Sequence, residues 1–144
     1  MLNINLIKLS FSDNDFSLIR DIRKNVFTDE LDISESELFD TSDEFCDHFI
    51  MFDGTNVVGS VRFILLEKTI KLERMAILQE YRMKNYGKNC ILQLKEYYHL
   101  RGYRKIILDS IYSARDFYTK CGFLEEGEIF QRVGIDHVRM SLTI

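Results

Sequence analysis

Lys84, Gly87 and Lys88 open an apolar helix-like segment directly behind a strand-like run, Lys71-Leu-Glu-Arg-Met-Ala-Ile-Leu78. Such a junction can hold a phosphate. The first N–H groups of a helix have no partner within it, they lie at the positive end of its dipole, and a glycine keeps bulk away. No Ser or Thr follows Gly87-Lys88, so this is not a P-loop, and it does not read Gly-x-Gly-x-x-Gly. Glu73 is an ionisable residue in an otherwise apolar strand, which marks it for acid–base work. Its neighbour Arg74 supplies the plainer reading, since side chains alternate and one of the two can point to solvent or pair with a neighbour. Further on, Tyr118 offers a phenol and His137 an imidazole.

The spacing of these residues resembles a known pattern. Arg82-Met-Lys-Asn85-Tyr-Gly87 is similar to the Arg/Gln-x-x-Gly-x-Gly/Ala signature of the GNAT superfamily of N-acetyltransferases. Asn85 replaces the first glycine, and Asn is the non-glycine residue that best tolerates positive φ. Ala114-Arg-Asp-Phe-Tyr118-Thr-Lys-Cys-Gly122-Phe123 resembles the superfamily's Ala-x-x-Phe-Tyr-x-x-x-Gly-Phe segment. Gly134-Ile-Asp-His137-Val-Arg-Met140 and Arg23-Lys-Asn-Val-Phe27-Thr-Asp-Glu30 resemble segments of the small bacterial ElaA-type branch, with Leu31 where that branch usually has Gln. The matches span most of the chain in the expected order.

The resemblance implies an α+β acyl-CoA N-acyltransferase fold over residues 1–144, with a mixed, mostly antiparallel sheet, one splayed parallel pair and helices on both faces. It implies acetyl-CoA as cosubstrate, its pantetheine arm against Met75, Ala76 and Ile77. Its pyrophosphate would meet the amides of Arg82, Met83, Lys84, Asn85, Tyr86, Gly87 and Lys88. Tyr118 stands where the superfamily places the phenol that protonates the leaving thiolate. The acceptor would be a small-molecule or peptide amine, and Arg23, on the helix lining the acceptor side, would grip a substrate carboxylate or pair with a nearby acid. A homodimer is left open. Two other readings keep the fold: a non-catalytic acyl-CoA-binding or partner-binding module, and an acyltransferase with a different donor.

The chemistry asks for specific groups. A lysine-like amine has a pKa of about 10.4, so a base must take its proton. Glu73 is the first candidate, directly or through water, and His137 the second, its plainer role being to close a hydrogen-bond network. A strand N–H near Ile77 would stabilise the oxyanion. Tyr118 also has a packing role, because Ala114, Phe117 and Cys121 form a stripe on the same short helix. Cys121 has no His or Lys partner in local sequence, which disfavours a covalent cysteine route.

Composition sets the frame. At 144 residues and 46% hydrophobic content the chain reads as one domain with a real core. A net charge of -4 argues against nucleic acid as a standing partner. No apolar run approaches the roughly 18 residues that span a bilayer, and the start lacks a signal-peptide pattern, so a cytoplasmic protein is expected. Three cysteines, Cys46, Cys90 and Cys121, show no metal-ligand spacing, and no metal is expected. The elements needed to position the site are a strand over 3–9 and a helix capped by Ser12 and Asp15. An acidic helical piece follows over 34–39, then strands over 48–52, 57–66 and 70–78, and a helix from Tyr86 to about Gly102. A strand over 105–108, ending at Asp109 as a helix cap, a short helix over 113–120 and two strands about Val133-Gly134 complete the series.

Overall fold

Alternation along β2 (Asp47–Asp53) sorts the molecule into two layers around one sheet. Phe49 and Met51 join the core cluster under α2 (Tyr86–Leu100), built on Cys90, Ile91, Leu94 and Tyr98. Ile50, between them, joins a second cluster with Phe16, Ile19 and Ile22 of α1 (Phe16–Arg23). Helices therefore cover both faces, as the period-2 and period-3.6 patterns require. The computed structural model describes residues 2–144.

The sheet has seven strands in the order β1-β2-β3-β4-β5-β7-β6. Besides β2 these are β1 (Ile4–Leu9), β3 (Asn56–Leu66), β4 (Thr69–Ile77), β5 (Lys105–Ile111), β6 (Leu124–Arg132) and β7 (Ile135–Thr143). Every neighbouring pair is antiparallel except β4 and β5, which α2 joins and which run parallel. Their pairing lasts only four residues, Thr69↔Lys105 to Leu72↔Leu108, although both strands continue beyond it. From that point the two strands part, and a gap opens in the middle of the sheet.

A bulge accompanies the parting. Ser60 pairs with Ala76 but Arg62 with Glu73, so β4 carries one extra residue there. Arg74 takes it up with φ 54. Leu72, Met75 and Ile77 pack on the α2 side and Ala76 on the α1 side. Glu73 bonds Arg62 and Arg74 bonds the Leu38 carbonyl, so the bulge aims both side chains at the α1 side.

Several sequence expectations need correction. Ser12 and Asp15 form no capping box: Asp15 is the N-cap of α1 without a side-chain cap bond, and Asp13 instead accepts the Ser10 N–H. The helix then widens into a π-helical stretch, Lys24–Glu30, which periodicity did not suggest. The acidic piece shrinks to a single 3-10 turn, Glu35–Glu37. A second turn, Thr41–Glu44, is closed by a capping box between Asp40 and Asp43. β5 extends to Ile111, so Asp109 sits within a strand and caps nothing.

Candidate active site

A cavity of about 240 Å³ occupies the mouth of the β4–β5 gap. β4 lines it with Glu73, Arg74 and Met75, β5 with Asp109 and Ser110, and the π-helical stretch with Phe27. Tyr118 closes it from α3 (Arg115–Lys120), His137 from β7 and Arg132 from the end of β6.

Tyr118 is set by how α3 ends. The N–H of Phe123 donates to the Tyr118 carbonyl and that of Gly122 to the Thr119 carbonyl, with Gly122 at φ 98. The Phe123 ring then packs on Tyr118, 5.7 Å between centroids. This explains the Phe-Tyr-x-x-x-Gly-Phe spacing: the glycine makes the left-handed turn and the second aromatic locks the first. Tyr118 is 8% exposed, and its hydroxyl makes no hydrogen bond among the described residues. Burial pushes its pKa up, so it is a protonated phenol facing a cavity.

His137 has a defined tautomer. Its Nδ1 lies 2.7 Å from the Ile135 carbonyl, which only accepts, so Nδ1 carries a proton and Nε2 is the nitrogen that holds the lone pair whenever the ring is neutral. Phe130 stacks on the ring at 5.8 Å. The network reading of this residue therefore holds for one nitrogen and leaves the other for chemistry.

Glu73 is less free. Arg62 donates to its Oε1 at 2.7 Å, and the Lys71 ammonium lies 3.2 Å from Oε2. Burial opposes its charge, but the bonds to Arg62 and Lys71 prevail and hold its pKa below the ordinary value. Lys71 also bridges to Asp109 at 3.2 Å, which Arg132 and Arg139 grip as well. Asp109 is accordingly held at about 2 despite its burial.

Arg23 does not reach the cavity. It is 1% exposed, and its Nη1 donates to both Asp43 oxygens at 3.1 Å. The ion pair, not the substrate grip, is what the fold builds, because an arginine on the inner face of α1 must find a partner. Arg62, also 1% exposed, binds Asp40, Asp43 and Glu73. Sequence reasoning missed this cluster; the Asp40-Thr-Ser-Asp43 spacing was its one local signal.

At the β4–α2 junction Asn85 has φ 68, as a replacement for glycine must, and Met83 also has positive φ. α2 begins without a side-chain cap, so its first amides stay open. A Cβ on Gly87 would lie 2.8 Å from the Phe117 ring, so Gly87 lets α2 and α3 touch. Tyr86 turns inward and donates to Asp53, leaving its amide as the group available here. Lys84 bonds the Glu80 carbonyl. Arg82 is braced: Nε donates to the Ile77 carbonyl at 2.9 Å and both Nη groups to Glu30 at 2.7 Å. The Leu78 N–H donates to Val58 on β3, so strand alternation leaves the Ile77 N–H on the edge facing the gap.

None of the thiols suits a nucleophile. Burial raises Cys46 to about 11, Cys90 to about 12, and Cys121 as well. Among the described residues no group of His, Cys, Asp and Glu is arranged to hold a metal, and no helix is long and apolar enough to cross a membrane.

Residues 26–144 match the family model of the acetyltransferase (GNAT) domain. The chain belongs to the GNAT acetyltransferase family. It is 34% identical to the uncharacterized protein YyaT of Bacillus subtilis (strain 168), over 85% of each chain. Its fold is similar to that of Escherichia coli ElaA, with a TM-score of 0.80, 17% identity, and 96% and 98% of the two chains covered. A Bacillus subtilis acetyltransferase solved in complex with CoA superposes with a TM-score of 0.70 and 20% identity, covering 100% of this chain and 99% of the other. The GNAT fold expected from the motifs, with its parallel pair and two helical faces, is thus the fold observed.

Proposed function

We propose that this GNAT protein transfers an acetyl group from acetyl-CoA directly to a primary amine in a ternary complex. The observation that supports this most is the convergence of a protonated Tyr118, a His137 anchored through Nδ1 and an open strand edge on one cavity. Acetyl-CoA, when bound, supplies the activated acetyl group. The residues present fit it: the amides at the start of α2 and Lys88 suit the pyrophosphate, and the free edge of Met75 to Ile77 suits the pantetheine amides.

The Ile77 N–H faces the gap and serves as donor to the charge that develops on the carbonyl oxygen. Tyr118, kept neutral by burial, gives its proton to the departing thiolate. His137 takes the amine's proton at Nε2, since Nδ1–H is anchored and the ring cannot turn away. Glu73 is the second candidate for that step, acting through water, because it lines the same cavity beside Met75. Its two cationic partners lower its proton affinity and weaken that role. Isotopically labelled acetyl-CoA tests the reading. The label is expected in an amine acceptor after mixing, and a protein that binds acetyl-CoA but acetylates no amine would instead be the non-catalytic module.

A further inference from the structure

The ion-pair network beside the cavity does not balance. A continuous ion-pair network ties Arg23, Arg62, Lys71, Arg74, Arg132 and Arg139 to only four carboxylates, Asp40, Asp43, Glu73 and Asp109. Six cations against four carboxylates leave this network, which reaches the cavity through Glu73, Arg74, Asp109 and Arg132, with a cationic excess in a chain of net charge -4. Glu37, also at the cavity mouth, is exposed and makes no ion pair among the described residues, so water screens it.

The excess has a location. Arg62 and Arg23 are sealed behind carboxylates, and Lys71 is shared by Glu73 and Asp109. Arg74 is different. Its guanidinium bonds two main-chain carbonyls, Leu38 at 3.2 Å and Glu37 at 3.4 Å, and Nη1 makes no hydrogen bond among the described residues. The nearest carboxylate, Asp40, is 3.6 Å away and already gives both oxygens to Arg62. Arg74 is 26% exposed and lines the cavity. It is aimed there by the bulge, at a positive φ that a non-glycine residue adopts only when the surroundings hold it. Arg132 presents a second guanidinium from the β6–β7 side, bonded to Asp109 through Nη1.

We infer that the acceptor amine carries an anionic group, a carboxylate or a phosphate, which Arg74 binds through its free guanidinium edge while Arg132 faces it across the cavity. The planar fork matches either oxyanion, and its two main-chain anchors fix the fork beforehand. The grip expected of Arg23 is thereby moved to Arg74. This inference rests on the acetyltransferase reading for the identity of the ligand, but not for the anion site itself.

The test compares ω-amino acids with their carboxamides, which differ in charge at the far end while the amine stays the same; O-phosphoethanolamine against ethanolamine distinguishes phosphate from carboxylate. Wild type is expected to favour the anionic member of at least one pair by about 10-fold or more in kcat/KM. Arg74→Gln is expected to bring that ratio close to one while the thermal shift with acetyl-CoA persists. Arg74→Asn, which accepts positive φ, is expected to do the same and controls for backbone strain. Equal rates within both pairs, or an unchanged preference in both variants, would overturn the inference while leaving acetyl transfer intact. Titration of the CoA-loaded protein with N-acetyl-ω-amino acids and their carboxamides provides a readout independent of turnover. Selective binding of the acids without acetylation of any amine would sink the enzymatic reading and keep the anion site.

Discussion

At the scale of single residues, the site separates groups that look alike in sequence. Glu73 and His137 are both ionisable residues on strands beside the cavity, yet their second partners differ. Two cations occupy Glu73, whereas a carbonyl occupies only one nitrogen of His137. The pH profile of kcat/KM distinguishes them. With His137 as base, one limb of the profile depends on the imidazole, and His137→Gln removes that limb. Glu73→Gln is then expected to lower the rate without altering the shape of the profile near neutrality. Loss of rate at neutral pH that recovers at high pH in Glu73→Gln, with His137→Gln unaffected, would move the role to the carboxylate. Residue types and spacing made Tyr118, Glu73 and His137 legible as candidates. What was not legible was their partners: Arg62 reaches Glu73 through β3–β4 pairing, and the contacts of Lys71 with Glu73 and of Ile135 with His137, each two residues away on the same strand, depend on side-chain placement that no short motif encodes.

At the scale of elements, three local devices position the chemistry: the bulge in β4, the early end of β4–β5 pairing and the glycine-terminated α3. Only the last had a sequence signature, since Gly122 is a left-handed cap with Phe123 closing on Tyr118. The bulge at Arg74 has none, because no glycine marks it and positive φ there is imposed by tertiary contacts. The π-helical Lys24–Glu30 was likewise hidden, as its apolar positions fit an α-helical period equally well. The α3 device yields a paired expectation. Tyr118→Phe should lower kcat by about 10²-fold with Tm nearly unchanged, the scale of losing a general acid. Gly122→Ala must force φ 98 on a residue with a Cβ that lies 3.3 Å from Leu142, costing about 1–2 kcal/mol. It should lower Tm and kcat together, because the cap that seats Tyr118 is strained. Thermal melts beside steady-state rates check both. A full-rate Tyr118→Phe would reduce Tyr118 to packing.

At the scale of the whole molecule, the buried charges that support the cavity also tie stability to pH. His48 is fully buried; its Nε2–H donates to the Asp43 carbonyl at 2.7 Å, and its Nδ1 faces Arg23. Burial lowers its pKa below the usual imidazole value, with the Arg23 charge adding to the effect. A depressed histidine stays neutral in the folded state while the unfolded chain takes up a proton below about pH 6.5. Its contribution is therefore complete above that pH and lost as pH falls. Asp40 and Asp109, both near 2, add a second loss below about pH 4. Denaturation midpoints should fall from pH 7.5 to 5.5 in wild type and change less in His48→Gln; a midpoint that rises over that interval would contradict this account. Direct acetyl transfer from acetyl-CoA to an amine, proposed for the β4–β5 gap, requires that the acetyl group never rest on the protein. Acetyl-CoA labelled in the acetyl group, mixed first with the protein alone and then with the amine panel, tests it most directly. The label should remain on CoA until an amine is added and then appear in the acceptor, with free thiol released in equal amount. Label on the protein before the amine arrives, or none in any acceptor, would contradict it.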